Sequence, residues 1–382
     1  MRIAIVGQHY DGYGRGRENS VGLCTREISR ALACLGVNVR VYGVGAAGEV
    51  AQCYKDEDGI EYRIFRKRLP DALLYKLVTR LGPIGRMFNH GMDIAPSTSS
   101  LTYPGYGREV ARDLAVDPVD LILLQHNARR IVPIRNAGVK APIIVHLHAP
   151  LFPQELTQGY CRALLDAEAV TGVSEYVALE AEKILGRHCG VIRNGVHEDA
   201  PAAQETQCDT GAPPHVLYAG AVSPEKGVHI LIDAFVRVLK RHPNARLDII
   251  GGGARPFSVV FPQRDDPFIG EVRPFFKGDY RSMLEDRIPP EARSSICFVG
   301  HLSRDVLLAR MAAAQVFAFP SIWQEGFGLP PIEAMAMGIA VVVSDGGALP
   351  SIVDGGKAGL VVPRNDVDGL ANALDMLLTD HK

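Results

Sequence analysis

The chain has 382 residues, 47% of them hydrophobic and 22% charged, with a formal net charge of −2. This is the composition of a soluble globular protein long enough for two domains, and its charge balance argues against a nucleic-acid partner. No apolar run approaches the roughly 20 residues needed to span a bilayer. The start, Met1–Gly7, reads as a first strand rather than a signal peptide, because polar residues follow at once. Seven scattered cysteines without C-x-x-C or zinc spacing read as reduced buried thiols in a cytoplasmic protein.

Taken in order, Arg2–Gly7 is a short β-rich run followed by the glycine-rich segment 8–20. A helical pattern then places Val21, Leu23, Cys24, Ile28, Ala31, Leu32 and Leu35 on one face and stops at Gly36. Val37–Tyr42 is the next strand, so the chain opens as a βαβ unit with a parallel sheet. The loop holding Gly14, Arg15, Gly16 and Arg17 has the wrong spacing for a dinucleotide fingerprint, and no acidic residue stands at the expected distance. Its two arginines suit an anionic acceptor or a phosphate; equally they suit a solvated surface.

Residues 60–65 form a candidate strand. Residues 71–81 form a candidate helix whose Leu73, Leu74, Leu77 and Val78 read as core-facing and whose Lys76 and Arg80 read as solvated. Arg66, Lys67 and Arg68 just ahead of it admit a peripheral membrane contact as the lesser reading. The segment 96–107, rich in Ser, Thr, Pro, Tyr and Gly, reads as a loop.

Val119–Leu124 and Ile143–Val145 are continuous apolar runs, as in buried parallel strands. They end in Gln125-His126-Asn127 and His146-Leu147-His148. Ligands of open α/β sheets bind beyond the carboxyl ends of strands, so these histidines are site candidates, with satisfied core histidines as the alternative. Ala169–Tyr176 reads as a strand leading to a serine-capped helix. Residues 198–214 are polar and Pro/Gly-containing and form a linker between residues 1–197 and 215–382.

The second half restarts with a strand at His215–Gly220. A loop containing Lys226-Gly227 leads to an amphipathic helix, and Arg246–Ile250 is the next strand. Residues 254–280 read as an inserted loop over a site or at a partner surface. Ile296–Val299 is a strand ending in Gly300-His301, and Ser303 caps a helix running to Ala313. Val316–Phe319 then leads into Ser321–Gly338, which holds Glu325, Gly326, Phe327, Gly328, Pro330, Pro331 and Glu333. The prolines fit the first turn of a helix, where a missing N–H costs nothing, and Gly338 fits the position that stops it. Two carboxylates therefore bracket a glycine turn at a helix N-terminus, a place that favours phosphate. A plain turn with two solvated carboxylates is the competing reading.

Glu325-x7-Glu333 enclosing Gly326-Phe327-Gly328, continued by Val341–Gly347 and Gly359–Pro363, resembles the donor-site signature of glycosyltransferase family 4. These are retaining nucleotide-sugar transferases of GT-B fold: two Rossmann-like, doubly wound α/β domains facing a cleft. The resemblance implies transfer of a sugar from a UDP-, GDP- or similar donor to an acceptor hydroxyl that the sequence does not identify. It implies no cofactor and no obligatory metal; the sequence likewise carries no Asp-x-Asp-type metal motif flanking a strand end. By the same resemblance, Glu325 contacts the donor sugar and Glu333 the ribose. Gly326, Phe327 and Gly328 present amides to the diphosphate, and Lys226 neutralises the leaving group. His148 contacts the transferred sugar, His301 binds the donor near the base, Asn194 binds the donor from the end of the first domain, and Gly14–Arg17 lines the cleft. Ala221 stands where the family has a phosphate-binding arginine. Arg15, Arg17, Arg255 and Arg304 are candidates to replace it. The departure also keeps open a non-catalytic nucleotide-sugar-binding module. Relatives extend by a further helix beyond the position of Lys382.

Overall fold

A computed structural model describes residues 1–8, 19–46, 48–77, 102–152, 156, 158–196, 213–253 and 266–379. The chain divides into two compact units, Met1–Gly195 and Val196–Lys382. Each is a twisted sheet flanked by helices.

In the first unit the strands are β1 (Arg2–Val6), β2 (Asn38–Val44), β3 (Gln52–Lys55), β4 (Glu61–Phe65), β5 (Leu121–Gln125), β6 (Ile143–Leu147), β7 (Ala169–Gly172) and β8 (Gly190–Val191). Their order is β3-β4-β2-β1-β5-β6-β7-β8. All neighbours are parallel except β3, which pairs antiparallel with β4 at the edge. β3 is exposed along its length and carries no period-2 pattern of burial, which is why the sequence did not mark it. The order reverses beside β1, whose neighbours β2 and β5 lie on opposite sides, so the carboxyl ends of β1 and β5 flank a topological switch point.

Four expectations for this unit are corrected. The first helix runs Ser20–Cys34, and Leu35 is 79% exposed, beyond the buried face that Cys24 marks. Residues 104–107 are not loop but the first turn of the helix Pro104–Val116. The Asp71 carboxylate holds that turn, accepting from the amides of Gly105 and Tyr106 at 3.0 Å each and satisfying two otherwise orphaned donors. The residues 69–77 are helical, but Leu73 and Leu77 are 57% and 49% exposed and do not face the core. Of the histidine-bearing strands, β5 and β6 each include the first polar residue after the apolar run, Gln125 and His146. The cap expected at Ser174 is present: its hydroxyl accepts from the amide of Val177, and Gly186, with φ of 64°, ends the helix Glu175–Leu185.

In the second unit β9 (His215–Ala219), β10 (Arg246–Ile250), β11 (Ile296–Gly300), β12 (Val316–Phe319), β13 (Ala340–Ser344) and β14 (Leu360–Val362) are all parallel, in the order β11-β10-β9-β12-β13-β14. The switch point lies between β9 and β12. The continuous apolar strands are buried on both faces under the helices Val228–Val238, Leu329–Ala336 and Val367–Thr379. Leu329–Ala336 has Gly328 at its N-cap, Pro330 and Pro331 in its first turn, and Gly338 (φ 72°) just past its end, as the residue pattern predicts. Ser303 precedes the helix Arg304–Ala312 but its hydroxyl makes no capping bond.

The described part of the segment read as an inserted loop is instead helical and packed into its own unit. Ile269–Val272, Arg273–Phe276 and Tyr280–Asp286 are short helical turns. Val272 and Tyr280 belong to the core, and the Phe275 ring lies 4.3 Å from that of His229. Aromatic burial outweighs the Pro, Arg and Asp content that suggested a loop.

Candidate active site

The loops after β9 and β12 meet at the second unit's switch point. After β9 the chain makes a 3-10 turn, Pro224–Lys226, and passes through Gly227 with φ of 70°. A Cβ at Gly227 would fall 2.0 Å from the carbonyl oxygen of Pro320, so only glycine lets the two loops close. Glu225 joins them further, its carbonyl accepting from the amides of Ile322 and Trp323 at 2.9 and 3.0 Å. Sequence reasoning passed over Glu225. Its carboxylate is buried, takes one hydrogen bond from the Ser223 hydroxyl, leaves Oε2 without a partner, and burial pushes its pKa up.

At this junction the Lys226 Nζ lies 2.6 Å from Glu325 Oε1, and the Ser321 hydroxyl donates to the same oxygen at 2.6 Å. Both acidic and basic partners are largely buried. Ser321 is a second residue that motif reading missed; it lies four positions before Glu325 in a loop, where no period predicts a contact. Gly347 supports the carboxylate's backbone: with φ of 61°, its Cβ would come within 2.3 Å of the Glu325 carbonyl oxygen. The amide of Ala348 donates to that oxygen at 2.9 Å. Arg364 is a third missed residue, donating to the carbonyl of Ile322 and to Asp266.

Glu333 lies on the helix that follows, buried, with its Oε1 2.7 Å from Nη2 of Arg304. Of the four candidate substitutes for the absent arginine, Arg304 is thus placed at Glu333; Arg15, Arg17 and Arg255 lie outside the described residues, as do Gly14 and Gly16. Phe327 is buried and Gly328 has φ of 114° against Leu349 and Ile352. Ala221 stays in the loop after β9, its carbonyl accepting from the Tyr218 hydroxyl at 2.7 Å, and His301 is exposed just past β11.

In the first unit the expected histidines gather at the carboxyl ends of β5 and β6. His146 and His148 rings pack edge to face at 4.9 Å. The His148 Nε2 contacts Gln125 Oε1 at 2.5 Å, and the His148 amide donates to Nδ1 of His126 at 3.3 Å. With the Gln125 amide oriented so, Nε2 of His148 carries the proton and Nδ1 is left as an acceptor. His126 adopts a left-handed φ of 65°, an uncommon state for a side-chain-bearing residue that costs on the order of 1 kcal/mol. Burial lowers the pKa of His126 to about 4; burial, then the neighbouring His126, does the same to His146. Burial and both neighbouring histidines hold that of His148 well below 6.5. The cluster is therefore neutral at pH 7. His146 is a core histidine, fully buried and bonded to the Thr171 hydroxyl at 2.9 Å. Asn194 is buried near the end of this unit, its Oδ1 without a partner among the described residues.

Two parallel α/β units of this kind define the GT-B fold of glycosyltransferases. The structure of Anabaena Alr3699/HepE in complex with UDP and glucose superposes with a TM-score of 0.66 at 21% identity, covering 100% of this chain and 90% of that one. Residues 209–382 match the family model described as Glycosyl transferases group 1. The chain is 34% identical over 190 residues to a glycogen synthase of Mycobacterium tuberculosis, covering 50% of this chain and 40% of that protein. It is 26% identical over 289 residues to a phosphatidyl-myo-inositol mannosyltransferase of Mycolicibacterium smegmatis, covering 72% and 67%.

Proposed function

We propose that this protein is a retaining glycosyltransferase of family 4, moving a sugar from a nucleoside diphosphate sugar to an acceptor hydroxyl. The observation that carries the reading is the Lys226–Glu325–Ser321 cluster at the carboxyl ends of β9 and β12. It puts a positioned ammonium and a positioned carboxylate where an open α/β sheet binds ligands. The match of residues 209–382 to glycosyl transferases group 1 and the UDP bound in the similar Anabaena structure support the donor class.

In this reading Glu325 accepts from the donor sugar's hydroxyls, exchanging its contact with Lys226 for them. The released ammonium meets the charge that develops on the departing diphosphate, a form of electrostatic stabilisation. The amides of Gly326, Phe327 and Gly328 share that charge, and Glu333, oriented by Arg304, takes the ribose. His148 contacts the sugar as a neutral imidazole. Asn194 and His301 retain their donor-side assignments, and Gly14–Arg17 its anion-binding one. With cations and amides doing this work, turnover requires no added divalent metal, and the setting is the cytoplasm. No helix among the described residues is long and apolar enough to cross a membrane. A peripheral contact is assigned to residues 69–77, where Leu69, Leu73 and Leu77 are exposed beside Arg66, Lys67 and Arg68.

The test is incubation of the full chain with a panel of UDP- and GDP-sugars and mixed acceptors, in the presence of EDTA, with the anomeric configuration of the product read by NMR. Product with the donor's configuration supports the proposal. Inverted product, or turnover that needs metal and survives Glu325→Ala, overturns it. Tight nucleotide binding without turnover on any acceptor points to the non-catalytic module instead.

A further inference from the structure

A cavity of about 500 Å³ lies in the first unit between the helices Pro104–Val116 and Ile131–Asn136. Four arginines line it: Arg108 and Arg112, one turn apart on the first helix and both exposed, with Arg129 and Arg130 from the turn before the second. Val132 and Pro133 add an apolar wall, and no acidic residue lines it among those described.

Arg130 is the informative member. It is 4% exposed; its Nη1 donates to the Tyr103 carbonyl at 2.8 Å, and its guanidinium sits 4.4 Å from the Tyr106 ring centroid. Its Nε and Nη2 are buried without an acceptor among the described residues. A guanidinium stays charged, and burying one uncompensated is costly. Asp71, the carboxylate whose charge acts on Arg130, has its oxygens engaged by two helix amides. Burial lowers the pKa of Arg130, the direction expected where counter-charge is short.

We propose that this cavity is an anion site for a phosphoryl-bearing ligand, distinct from the site at Glu325. Guanidinium forks match the oxygens of a phosphoryl group in geometry and charge, and the apolar wall accommodates what the phosphoryl group is attached to. Arg108, Arg112 and Arg129 supply the donors at the wall, and Arg130 supplies the buried charge behind them.

Calorimetric titration of the full chain with inorganic pyrophosphate tests this. The expected result is saturable binding that survives Lys226→Ala and weakens at least about tenfold in Arg108→Gln/Arg112→Gln, whose exposed positions leave folding intact. A parallel arm with phosphatidic acid vesicles identifies the source. Cosedimentation that is lost in the double variant and reversed by pyrophosphate marks a lipid headgroup; saturable pyrophosphate binding with cosedimentation absent, or unchanged in the double variant, marks a soluble phosphate ester. Absence of saturable binding, or binding lost in Lys226→Ala and unchanged in the arginine variant, overturns the proposal.

Discussion

The ammonium of Lys226 and the carboxylate of Glu325, 99 positions apart in the chain, are 2.6 Å apart at the second unit's switch point. Each is the other's counter-charge, and a largely buried pair of this kind is strongly disturbed when one member is removed. Lys226→Ala is therefore expected to lower kcat about 10²–10³-fold, the usual cost of deleting one preorganised charge-stabilising donor. Steady-state kinetics with the best donor of the panel checks it. A change confined to KM would remove Lys226 from the leaving-group role.

Ser321 is expected to act through Glu325, to which its hydroxyl donates. Ser321→Ala deletes the hydroxyl that shares Oε1 with Lys226 and should reduce kcat by about tenfold, the worth of one hydrogen bond to a charged group. Ser321→Thr, which restores the hydroxyl, should recover most of it. An inactive Thr variant that remains folded would show that shape, not the hydrogen bond, matters there.

Gly347 and Gly36 form a controlled comparison. Both have positive φ, 61° and 76°, but a Cβ at Gly36 meets open space whereas one at Gly347 meets the backbone of Glu325. Gly36→Ala should cost only the left-handed penalty of roughly 1–2 kcal/mol. Gly347→Ala should lower the melting temperature clearly further and abolish donor binding. Equal shifts in the two variants would contradict the close approach.

The neutral histidines predict acid sensitivity. Their folded pKa values, about 4 for His126 and His146, lie below the unfolded value of 6.5. The folded state thus binds fewer protons, so stability is full above about 6.5 and is lost as pH falls toward 4. Fully buried His146 is expected to dominate, with a contribution on the order of 3 kcal/mol. Denaturant unfolding at pH 7.5 and 5 measures this; His146→Gln should flatten the difference. An unchanged pH dependence in that variant would assign the acid loss to other groups.

The exposed leucines of residues 69–77 make a separate prediction. Leu69→Ser/Leu73→Ser/Leu77→Ser should keep the native melting temperature, because these side chains cover no core, and should lose cosedimentation with vesicles containing phosphatidylglycerol. Vesicle binding by neither protein removes the peripheral contact.

The amino-acid sequence by itself determined the elements whose signals are local. Continuous apolar runs gave β5, β6 and β12; Pro330, Pro331 and Gly338 bounded the helix Leu329–Ala336; Ser174 marked the start of Glu175–Leu185, whose end at Gly186 came only with the structure. Spacing, capping and backbone φ act over a few residues, so they are readable from a few residues. Glu325 and Lys226 were readable too, but only as separate motif members. Their meeting depends on β9 lying next to β12, with a glycine at 227 that lets the loops close, and no local period encodes strand order. The same holds for Arg304 on Glu333, for Ser321 and Glu225 at the junction, and for the four arginines brought together from one helix and the turn before another. Burial in tertiary structure likewise decided what composition misjudged. Leu73 and Leu77 turn outward because Asp71, not a leucine, occupies the buried side at the start of the helix Pro104–Val116, whereas Val272 and Tyr280 turn a loop-like segment into core.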